Sequence, residues 1–498
     1  MGKPTGFMEY ERAEAEHRPA DERIRDYYDF TLPTDVEVII RQSARCMDCG
    51  VPFCHAGVAF KDGVIGCPLG NLIPEINDLV YRKDIEGAYE RLTMTHPFPE
   101  FTSRVCPALC EGSCTLGEHE LPVTVKNIER YIVDYMLEGG RIRPRAPRTH
   151  TGRRVAVVGS GPSGLACADM LNRLGNDVTV FERADRPGGL LTYGIPNMKL
   201  EKSIVEDRIR IMAEENVTFV LNTEVGMDMP VIRLLGEFDA VVLCCGAGNE
   251  RKLDAAGVGL KGVYTAMQYL SASAKRLLGN ASREDALIDA KGKRVVVVGG
   301  GDTGTDCVAT AIRQGATGIA QLEILPCPPE SREEDNPWPL WPRAQKTDYG
   351  IEEAIALYRE DPRRYLTTVR EIKGSKGRVA SVVAVRVEWV ADRGHQAPVP
   401  VDGTETEFQA DMVITAMGFT GPERALIDQL QLEVDARGCV AADRSDYKSS
   451  LPTVFAAGDM RSGPSLVVRA IDEGRRAAIS CDRYLNEEKN GKIANLIA

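Results

Sequence analysis

The stretch Arg154–Glu182 constrains the fold of this chain more than any other. Residues Val155–Val158 form the continuous apolar run expected of a strand buried in a parallel sheet. Three glycines follow at the spacing G-x-G-x-x-G, then a helical pattern at Pro162–Leu174 and a second strand at Val178–Phe181. This order predicts an α/β domain that binds a dinucleotide, whereas the glycine spacing alone fits a simple tight turn equally well.

Each glycine of this turn has its own predicted role. Gly159 permits the tight turn, Gly161 lets a pyrophosphate approach the backbone, and Gly164 lets helix and strand pack closely. Glu182 ends the second strand, where a carboxylate hydrogen-bonds an adenosine ribose. We therefore expect a complete dinucleotide half-site here.

The same pattern returns at residues 294–315, RVVVVGGGDTGTDCVATAIRQG. A second glycine turn and a second helix predict a second nucleotide-binding domain. Its candidate binding residues are the three spaced glycines and two residues expected to cap the helix: Gly299, Gly301, Gly304, Asp302 and Thr303.

The choice of nucleotide depends on the strand after each helix. We interpret Ile319–Leu325 as a strand with no acid at its tip, which favours NADPH over NADH at the second turn and leaves FAD for the first, beside Glu182. Arg332 is the nearest arginine for a 2′-phosphate, with a surface charge in a mobile loop as the alternative. We expect residues 336–342, NPWPLWP, to pack as an irregular lid, with stacking on a cofactor as a second option.

Two further segments fit a flavin. The glycine- and proline-rich stretch Pro187–Leu200 follows the strand that carries Glu182, and its Gly189 lies where backbone lines the floor of a ring cofactor. Near the C-terminus, TVFAAGD delivers Gly458 and Asp459 just before a helix. In a protein with two nucleotide sites, this acid holds a ribityl hydroxyl of the flavin, and the helix N-terminus faces the flavin ring or its phosphates.

Seven of the fourteen cysteines lie between residues 46 and 114. Their spacing is C-x2-C-x4-C-x12-C-P followed by C-P-x2-C-x3-C, amid helical patterns at residues 34–45, 71–80, 84–94 and 125–138. Iron–sulfur clusters fit best; zinc and structural thiols remain alternatives, and disulfides are disfavoured in an intracellular chain. Two four-iron clusters need eight ligands, so one ligand must be another residue type. We expect a small, mostly helical module.

Composition sets the broader frame. A chain of 498 residues is long enough for about three domains. The net charge of −12 argues against a nucleic-acid partner, and the absence of a long apolar run or a signal-peptide core predicts a cytoplasmic protein without a membrane span. We predict an iron–sulfur domain at 1–145, a FAD domain at 146–275 and 405–498, and an NADPH domain at 276–404.

The two glycine turns and the AAGD segment resemble flavoproteins of the glutathione reductase type, with two Rossmann-like domains. Outside the cysteine module there is no C-x-x-C pair, so the redox dithiol of the disulfide reductases is missing. The segments CMDCGVPFC, CPALCEGSC, PGGLLTYGIP, GGGDTGTDC and NPWP are similar to the small (β) subunit of NADPH-dependent glutamate synthase. They also resemble the N-terminal half of dihydropyrimidine dehydrogenase.

This resemblance implies two [4Fe–4S] clusters with interleaved ligands. One cluster is expected on Cys46, Cys49, Cys54 and Cys114. The other is expected on Cys67, Cys106 and Cys110, with Glu129 at the position where the dehydrogenase has a glutamine.

The resemblance also implies a path for electrons. They run from NADPH through FAD and the clusters to a large subunit, which makes glutamate from glutamine and 2-oxoglutarate. FAD is needed because it accepts two electrons together and releases them singly. The alternatives are the electron-input subunit of another oxidoreductase, such as a ferredoxin-linked transhydrogenase, and a redox sensor that binds cofactors without turnover.

Overall fold

The N-terminal module is helical, as expected. The computed structural model describes residues 2–60, 63–392 and 395–497. Asp35 and Asp84 cap two of the module's helices by accepting backbone hydrogen bonds, and prolines occupy the first turns of two others. A two-stranded ribbon joins Val58–Phe60 to Gly63–Ile65. The module's helices are Gly6–Glu9, Ala20–Arg23, Val36–Ala44, Ile73–Tyr81, Ile85–Thr95, Pro99–Val105, Leu109–Gly112 and Val125–Glu138.

The first glycine turn belongs to a sheet of five parallel strands. In spatial order the strands are Val454–Ala456, Ala240–Leu243, Arg154–Val158, Asp177–Phe181 and Thr218–Val220. The apolar residues of the central strands are buried because helices cover both faces. These helices and the connecting ones are Pro162–Arg173, Leu190–Tyr193, Lys202–Glu214, Val231–Glu237, Arg424–Gln429, Asp459–Ser462 and Val467–Ile497.

The C-terminal helix, Val467–Ile497, packs along Pro162–Arg173, the helix that follows the first glycine turn. Gly474 lies at this contact, where an added Cβ would be 2.1 Å from the carbonyl oxygen of Ser163. The C-terminal segment is thus fixed against the first nucleotide turn. Within the described ranges, no helix is both long and apolar enough to span a membrane.

The second glycine turn belongs to another sheet of five parallel strands. Their spatial order is Arg363–Arg364, Gly318–Leu322, Arg294–Val298, Met412–Thr415 and Val263–Thr265. The surrounding helices are Ala266–Leu278, Arg283–Leu287, Asp302–Gln314 and Tyr349–Tyr358. An attached antiparallel sheet consists of Thr367–Ser375, Arg378–Asp392, His395–Pro400 and Thr406–Gln409. The predicted α/β fold, with a mostly helical N-terminal domain followed by two Rossmann-like domains, is confirmed.

The predicted boundaries between the nucleotide domains, at 275/276 and 404/405, are wrong. Val263–Thr265 and Met412–Thr415 pair with each other in the second sheet, although both were assigned to the first domain. The chain crosses between the sheets at Asn249–Glu250 and Phe419–Gly421, which pair in an antiparallel ribbon. A short buried strand carries no local mark of the sheet it joins, so the pattern of residues could not place these crossings.

The N-terminal segment binds the second nucleotide domain to the cysteine module. Arg23 is 2% exposed and pairs with Glu353, which also pairs with Arg313 from the helix after the second glycine turn. Phe30 stacks on Tyr349 with ring centroids 4.6 Å apart. These contacts join the second domain to the N-terminal segment, and loss of one partner of the buried charge pair would leave the other charge uncompensated.

Candidate functional site

The first glycine turn has the geometry of a nucleotide cradle. Gly159 has φ +97°, and an added Cβ would lie 2.5 Å from the carbonyl oxygen of Cys244. At Gly164 a Cβ would lie 1.9 Å from the carbonyl oxygen of Gly159. At Gly161, in contrast, no atom comes within 4 Å. The first and third glycines are therefore required for packing, while the second borders open space.

Glu182 is fixed at the edge of that space. The carboxylate is buried and accepts hydrogen bonds from the backbone N–H and hydroxyl of Ser160 and, at 2.8 Å, from the N–H of Ala184. On the opposite side, a Cβ on Gly189 would lie 3.0 Å from the Cα of Gly161. The loop that carries Gly189 thus approaches the turn closely enough to wall the same space.

Gly458 and Asp459 come to the same end of the sheet. Gly458 has φ +67°, and a Cβ there would lie 2.7 Å from the Cβ of Ser163, in the first turn of the nucleotide helix. Asp459 accepts a 2.8 Å hydrogen bond from the hydroxyl of Ser465, and burial raises the pKa of Asp459 to about 6. The residues predicted to bind FAD are therefore neighbours around one open cradle, which fits a dinucleotide.

The second glycine turn repeats the first. At Gly299, φ is +124° and a Cβ would lie 2.2 Å from the carbonyl oxygen of Ala416, while Gly301 again has no atom within 4 Å. A Cβ added at Gly304 would lie 2.2 Å from the carbonyl oxygen of Gly299. This turn also leaves room for a pyrophosphate above its middle glycine.

The predicted capping role of Asp302 and Thr303 is wrong. Gly301 is the N-cap residue of the helix Asp302–Gln314, and no side chain caps it. Asp302 and Thr303 are the first two residues inside the helix, because the helix begins earlier than its polar residues predicted. The free N–H groups of this first turn remain available to a ligand.

The strand after the second helix does end on an acid. It stops at Leu322 rather than Leu325, and Glu323 follows directly. Glu323 accepts a 2.7 Å hydrogen bond from the N–H of Gly300 and a 2.8 Å hydrogen bond from the N–H of Leu325. The sequence interpretation was wrong because apolar Ile324 and Leu325 prolong the run.

A usable signal for this acid was present in the sequence. Glu182 follows Gly159 by 23 residues, and Glu323 follows Gly299 by 24 residues. The spacings differ by one residue, and in both cases the acid directly follows the second strand of its sheet domain.

Arg332 lies at the cysteine module. Its guanidinium donates to the carbonyl oxygens of Leu340 at 2.6 Å, Asn336 at 3.1 Å and Gly112 at 3.5 Å. Gly112 is part of the module, between the cysteines at 110 and 114. The predicted contact of Arg332 with a 2′-phosphate is therefore not supported, because its donors are used by carbonyl groups elsewhere.

The tryptophan-rich segment, residues 336–342, also covers the cysteine module. Trp338 donates from its indole nitrogen to the carbonyl oxygen of Cys114 at 3.2 Å, and its ring lies 4.9 Å from that of Phe53. The hydroxyl of Ser113 donates to the carbonyl oxygen of Pro339 at 2.7 Å. The predicted irregular lid therefore closes over the cysteines, and the second domain supplies it.

Four cysteines surround a small cavity in the module: Cys46, Cys49, Cys54 and Cys114. Burial raises the pKa of the Cys46 and Cys54 thiols, and the neighbouring thiols add to this effect. All fourteen cysteines are free, so no disulfide competes for these sulfurs. Across the described ranges, no three His, Cys, Asp or Glu side chains converge as they do around a single metal ion. Four thiols that surround a cavity instead fit an iron–sulfur cluster.

A second set consists of three cysteines and a carboxylate: Cys67, Cys106, Cys110 and Glu129. Burial raises the pKa of Cys67 to about 12 and that of Cys106 to about 11, and the Glu129 carboxylate contributes to both shifts. Glu129 is only 12% exposed, and burial raises its own pKa to about 7. The carboxylate therefore lies beside these thiols inside the module, as a fourth ligand would.

A cavity of about 1410 Å³ connects the three units. Cys106 lines it from the module, Leu466 and Arg469 line it from the start of the C-terminal helix, and Asp302 lines it from the second nucleotide helix. Lys199 also lines the cavity and is held by Asp306 at 3.2 Å. The cavity therefore lies between Cys106 of the second cysteine set, the helix that follows the second glycine turn and Ser465, which hydrogen-bonds Asp459.

Comparisons with known proteins show which family the chain belongs to. The model of the pyridine nucleotide-disulphide oxidoreductase family matches residues 153–474, with a further match at 124–232. The family model described as dihydropyrimidine dehydrogenase domain II, 4Fe-4S cluster, matches residues 23–141. The chain is 48% identical to the glutamate synthase [NADPH] small chain of Bacillus subtilis, over 97% of this chain and 99% of that one. The chain belongs to the glutamate synthase small-chain family.

Other relatives extend this result. The glutamate synthase [NADPH] small chain of Mycobacterium tuberculosis is 45% identical over 97% of this chain and 96% of its own length. The glutamate synthase [NADH] of Saccharomyces cerevisiae is also 45% identical over 97% of this chain, which corresponds to 22% of the yeast protein. FprA of M. tuberculosis, solved in complex with NADPH, has a TM-score of 0.55 at 20% identity, covering 68% of this chain and 86% of FprA, and it shows the shared fold.

Proposed function

We propose that this chain is the electron-input subunit of a glutamate synthase. It oxidises NADPH and passes the electrons through FAD and two [4Fe–4S] clusters to a large subunit. The observation that carries the proposal is the shared cavity, which is lined by Cys106, by Asp302 after the second glycine turn and by Ser465, the hydrogen-bond partner of Asp459. When bound, the flavin accepts two electrons as a hydride and releases them singly, which clusters require.

The first turn is the proposed FAD site. The open space at Gly161 receives the pyrophosphate, and Glu182 accepts hydrogen bonds from the adenosine ribose. Gly189 contributes backbone to the floor, and Asp459 offers a carboxylate oxygen to the flavin side chain. Gly159, Gly164 and Gly458 support this site by close backbone packing.

The second turn is the proposed NADPH site. Gly301 leaves room for the pyrophosphate between Gly299 and Gly304, and the helix that begins with Asp302 and Thr303 presents free N–H groups to it. With Arg332 bound at the module, the NADPH assignment rests on the small-chain relatives from B. subtilis and M. tuberculosis.

The two cysteine sets are the proposed cluster sites. Cys67, Cys106, Cys110 and Glu129 hold the cluster that borders the cavity, because Cys106 lines it. Cys46, Cys49, Cys54 and Cys114 hold the cluster farther from the cavity. None of these four cysteines lines the cavity, so we assign this site the transfer of electrons out of the chain.

The proposed partner is the large subunit that makes glutamate from glutamine and 2-oxoglutarate. The yeast relative supports this, since it carries the matching region within a much longer glutamate synthase. The net charge of −12 argues against a nucleic-acid partner, and fourteen cysteines without a disulfide favour a cytoplasmic protein.

The proposal is tested with anaerobically purified protein. NADPH should bleach the bound flavin and reduce an artificial dye, and adding the large subunit should couple NADPH oxidation to glutamate formation. Dye reduction without glutamate formation, together with reduction of ferredoxin, would favour the transhydrogenase-type alternative. Bound cofactors without any NADPH oxidation would favour a redox sensor.

A further inference from the structure

Glu323 is the acid at the tip of the second strand in the second nucleotide domain. We propose that Glu323 admits NADH as an additional electron donor by accepting hydrogen bonds from the 2′- and 3′-hydroxyls of its adenosine ribose. This inference rests on the proposed function, because it assigns a second donor to the same site.

Glu323 and Glu182 accept the same two backbone hydrogen bonds, while Glu182 also accepts one from the hydroxyl of Ser160, which Gly300 lacks. Each carboxylate accepts from the N–H of the residue after the first glycine of its turn, Ser160 at 3.1 Å and Gly300 at 2.7 Å. Each also accepts at 2.8 Å from the N–H two residues further along its own chain.

The backbone of Glu323 is equally well fixed. Its N–H donates to the carbonyl oxygen of Arg364, and its own carbonyl oxygen accepts from Thr367, both at 2.9 Å. A Cβ on Gly300 would lie 2.2 Å from the carboxylate, so the side chain lies directly against the turn. Glu323 is therefore held in the position that binds a ribose diol in dinucleotide domains.

The charges at this edge of the sheet favour an unphosphorylated ribose. A carboxylate accepts hydrogen bonds from two hydroxyls and repels a 2′-phosphate. The arginines of the neighbouring strand are already paired, Arg363 with Asp361 at 2.7 Å and Arg364 with Glu360. They are therefore poorly placed to offset the charge of Glu323 toward NADPH.

Family membership leaves this choice open. At 45% identity each, the relatives include one named for NADPH and one named for NADH. Hydride transfer from NADH to FAD, with one proton from solvent, gives NAD⁺ and the two-electron-reduced flavin. The chemistry downstream is the same for both donors.

The test compares nucleotide binding and flavin reduction in holoprotein. Dissociation constants for NAD⁺ and NADP⁺ are measured by calorimetry, and rates of flavin reduction by NADH and NADPH are measured by anaerobic stopped flow. For the wild type, we expect NADH to reduce the flavin at a rate within about tenfold of that for NADPH.

Glu323→Ala should weaken NAD⁺ binding by about tenfold to hundredfold, since it removes hydrogen bonds to a charged group. It should leave NADP⁺ binding unchanged or tighter. Glu323→Gln keeps the shape and an acceptor oxygen, so it should retain more NAD⁺ binding while it relieves the repulsion of NADP⁺. Glu330→Gln removes an exposed acid charge from the loop that follows the same strand and should change neither constant.

Equal weakening of NAD⁺ and NADP⁺ in both Glu323 variants would overturn the inference, because it would show that Glu323 only supports the turn. A wild type that binds NADP⁺ but not NAD⁺ would overturn it as well. Failure of the proposed function looks different, since neither nucleotide would then reduce the flavin.

Discussion

The hydroxyl of Thr102 donates a hydrogen bond to the carboxylate of Glu129 inside the cysteine module. This bond joins the helix Pro99–Val105 to the helix Val125–Glu138 and fixes the carboxylate next to Cys106. A buried acid needs a partner that offsets the cost of removing it from water. One hydroxyl does this only in part, and ligation of iron would complete it.

Glu129 is therefore expected to be required for the second cluster. Wild-type protein should contain about eight irons and eight acid-labile sulfides per chain, as two four-iron clusters require. Glu129→Ala should lose up to about four of each, whereas Glu138→Ala, an exposed change on the same helix, should lose none. Iron and sulfide analysis with EPR of the reduced protein measures this. Full iron and an unaltered spectrum in Glu129→Ala would mean that another group is the ligand.

The middle glycines of the two turns should separate the two nucleotide sites. Both have extended backbone angles and no atom within 4 Å of an added Cβ, so valine fits without strain but occupies the pyrophosphate space. Gly161→Val should yield protein without flavin. Gly301→Val should keep the flavin and lose its reduction by NADPH. Absorbance spectra and anaerobic titration with NADPH measure both outcomes, and loss of flavin in Gly301→Val instead would reverse the assignment.

A third variant, Gly159→Ala in the first glycine turn, tests packing rather than nucleotide binding. Gly159→Ala places a Cβ 2.5 Å from a carbonyl oxygen at a positive φ, so it should destabilise the fold even without nucleotide, by about 1–3 kcal/mol. Thermal unfolding of flavin-free protein measures this. A normal unfolding midpoint in Gly159→Ala would show that the turn relaxes around the added methyl group.

Arg332 should matter for the cysteine module and not for nucleotide choice. Arg332→Ala removes the hydrogen bonds to Leu340 and Gly112, which should lower stability by about 1–2 kcal/mol and make the clusters more sensitive to oxygen. The KM values for NADPH and NADH should change by the same factor. A selective rise in the KM for NADPH would return Arg332 to the 2′-phosphate.

Local patterns predicted the first nucleotide turn almost to the residue. The strands and helix of Arg154–Glu182 follow from apolar runs, glycine spacing and a terminal acid, all of which act within about thirty residues. The positions of the module's helices were equally accessible, because their apolar periodicity and capping residues are local. The helix predicted at residues 84–94, for example, is observed at Ile85–Thr95.

Features that depend on residues far apart in the chain could not be predicted from local sequence patterns. The strand Val263–Thr265 joins the second sheet through its pairing with Met412–Thr415, about 150 residues away. Glu323 was missed because the apolar residues Ile324 and Leu325 made the predicted strand too long. Arg332 was assigned to the 2′-phosphate because it is the nearest arginine along the chain. No local pattern shows that it contacts the cysteine module instead.

Asp459 should give the protein a recognisable pH dependence. Its pKa is raised from 3.8 to about 6 by burial, so the folded state binds this proton more tightly than the unfolded state. Its contribution to stability is therefore greatest below about pH 4, falls as the pH rises from about 4 to 6, and stays low above that range. Asp459→Asn cannot ionise and should lack this loss, which makes it more stable than wild type by about 2–3 kcal/mol at pH 7.

Thermal unfolding of flavin-free wild type and variant at pH 4, 5, 6 and 7 measures the difference, which should grow up to pH 6 and then level off. A constant difference across the series would show that Asp459 titrates normally, and its place facing the flavin would then need another explanation.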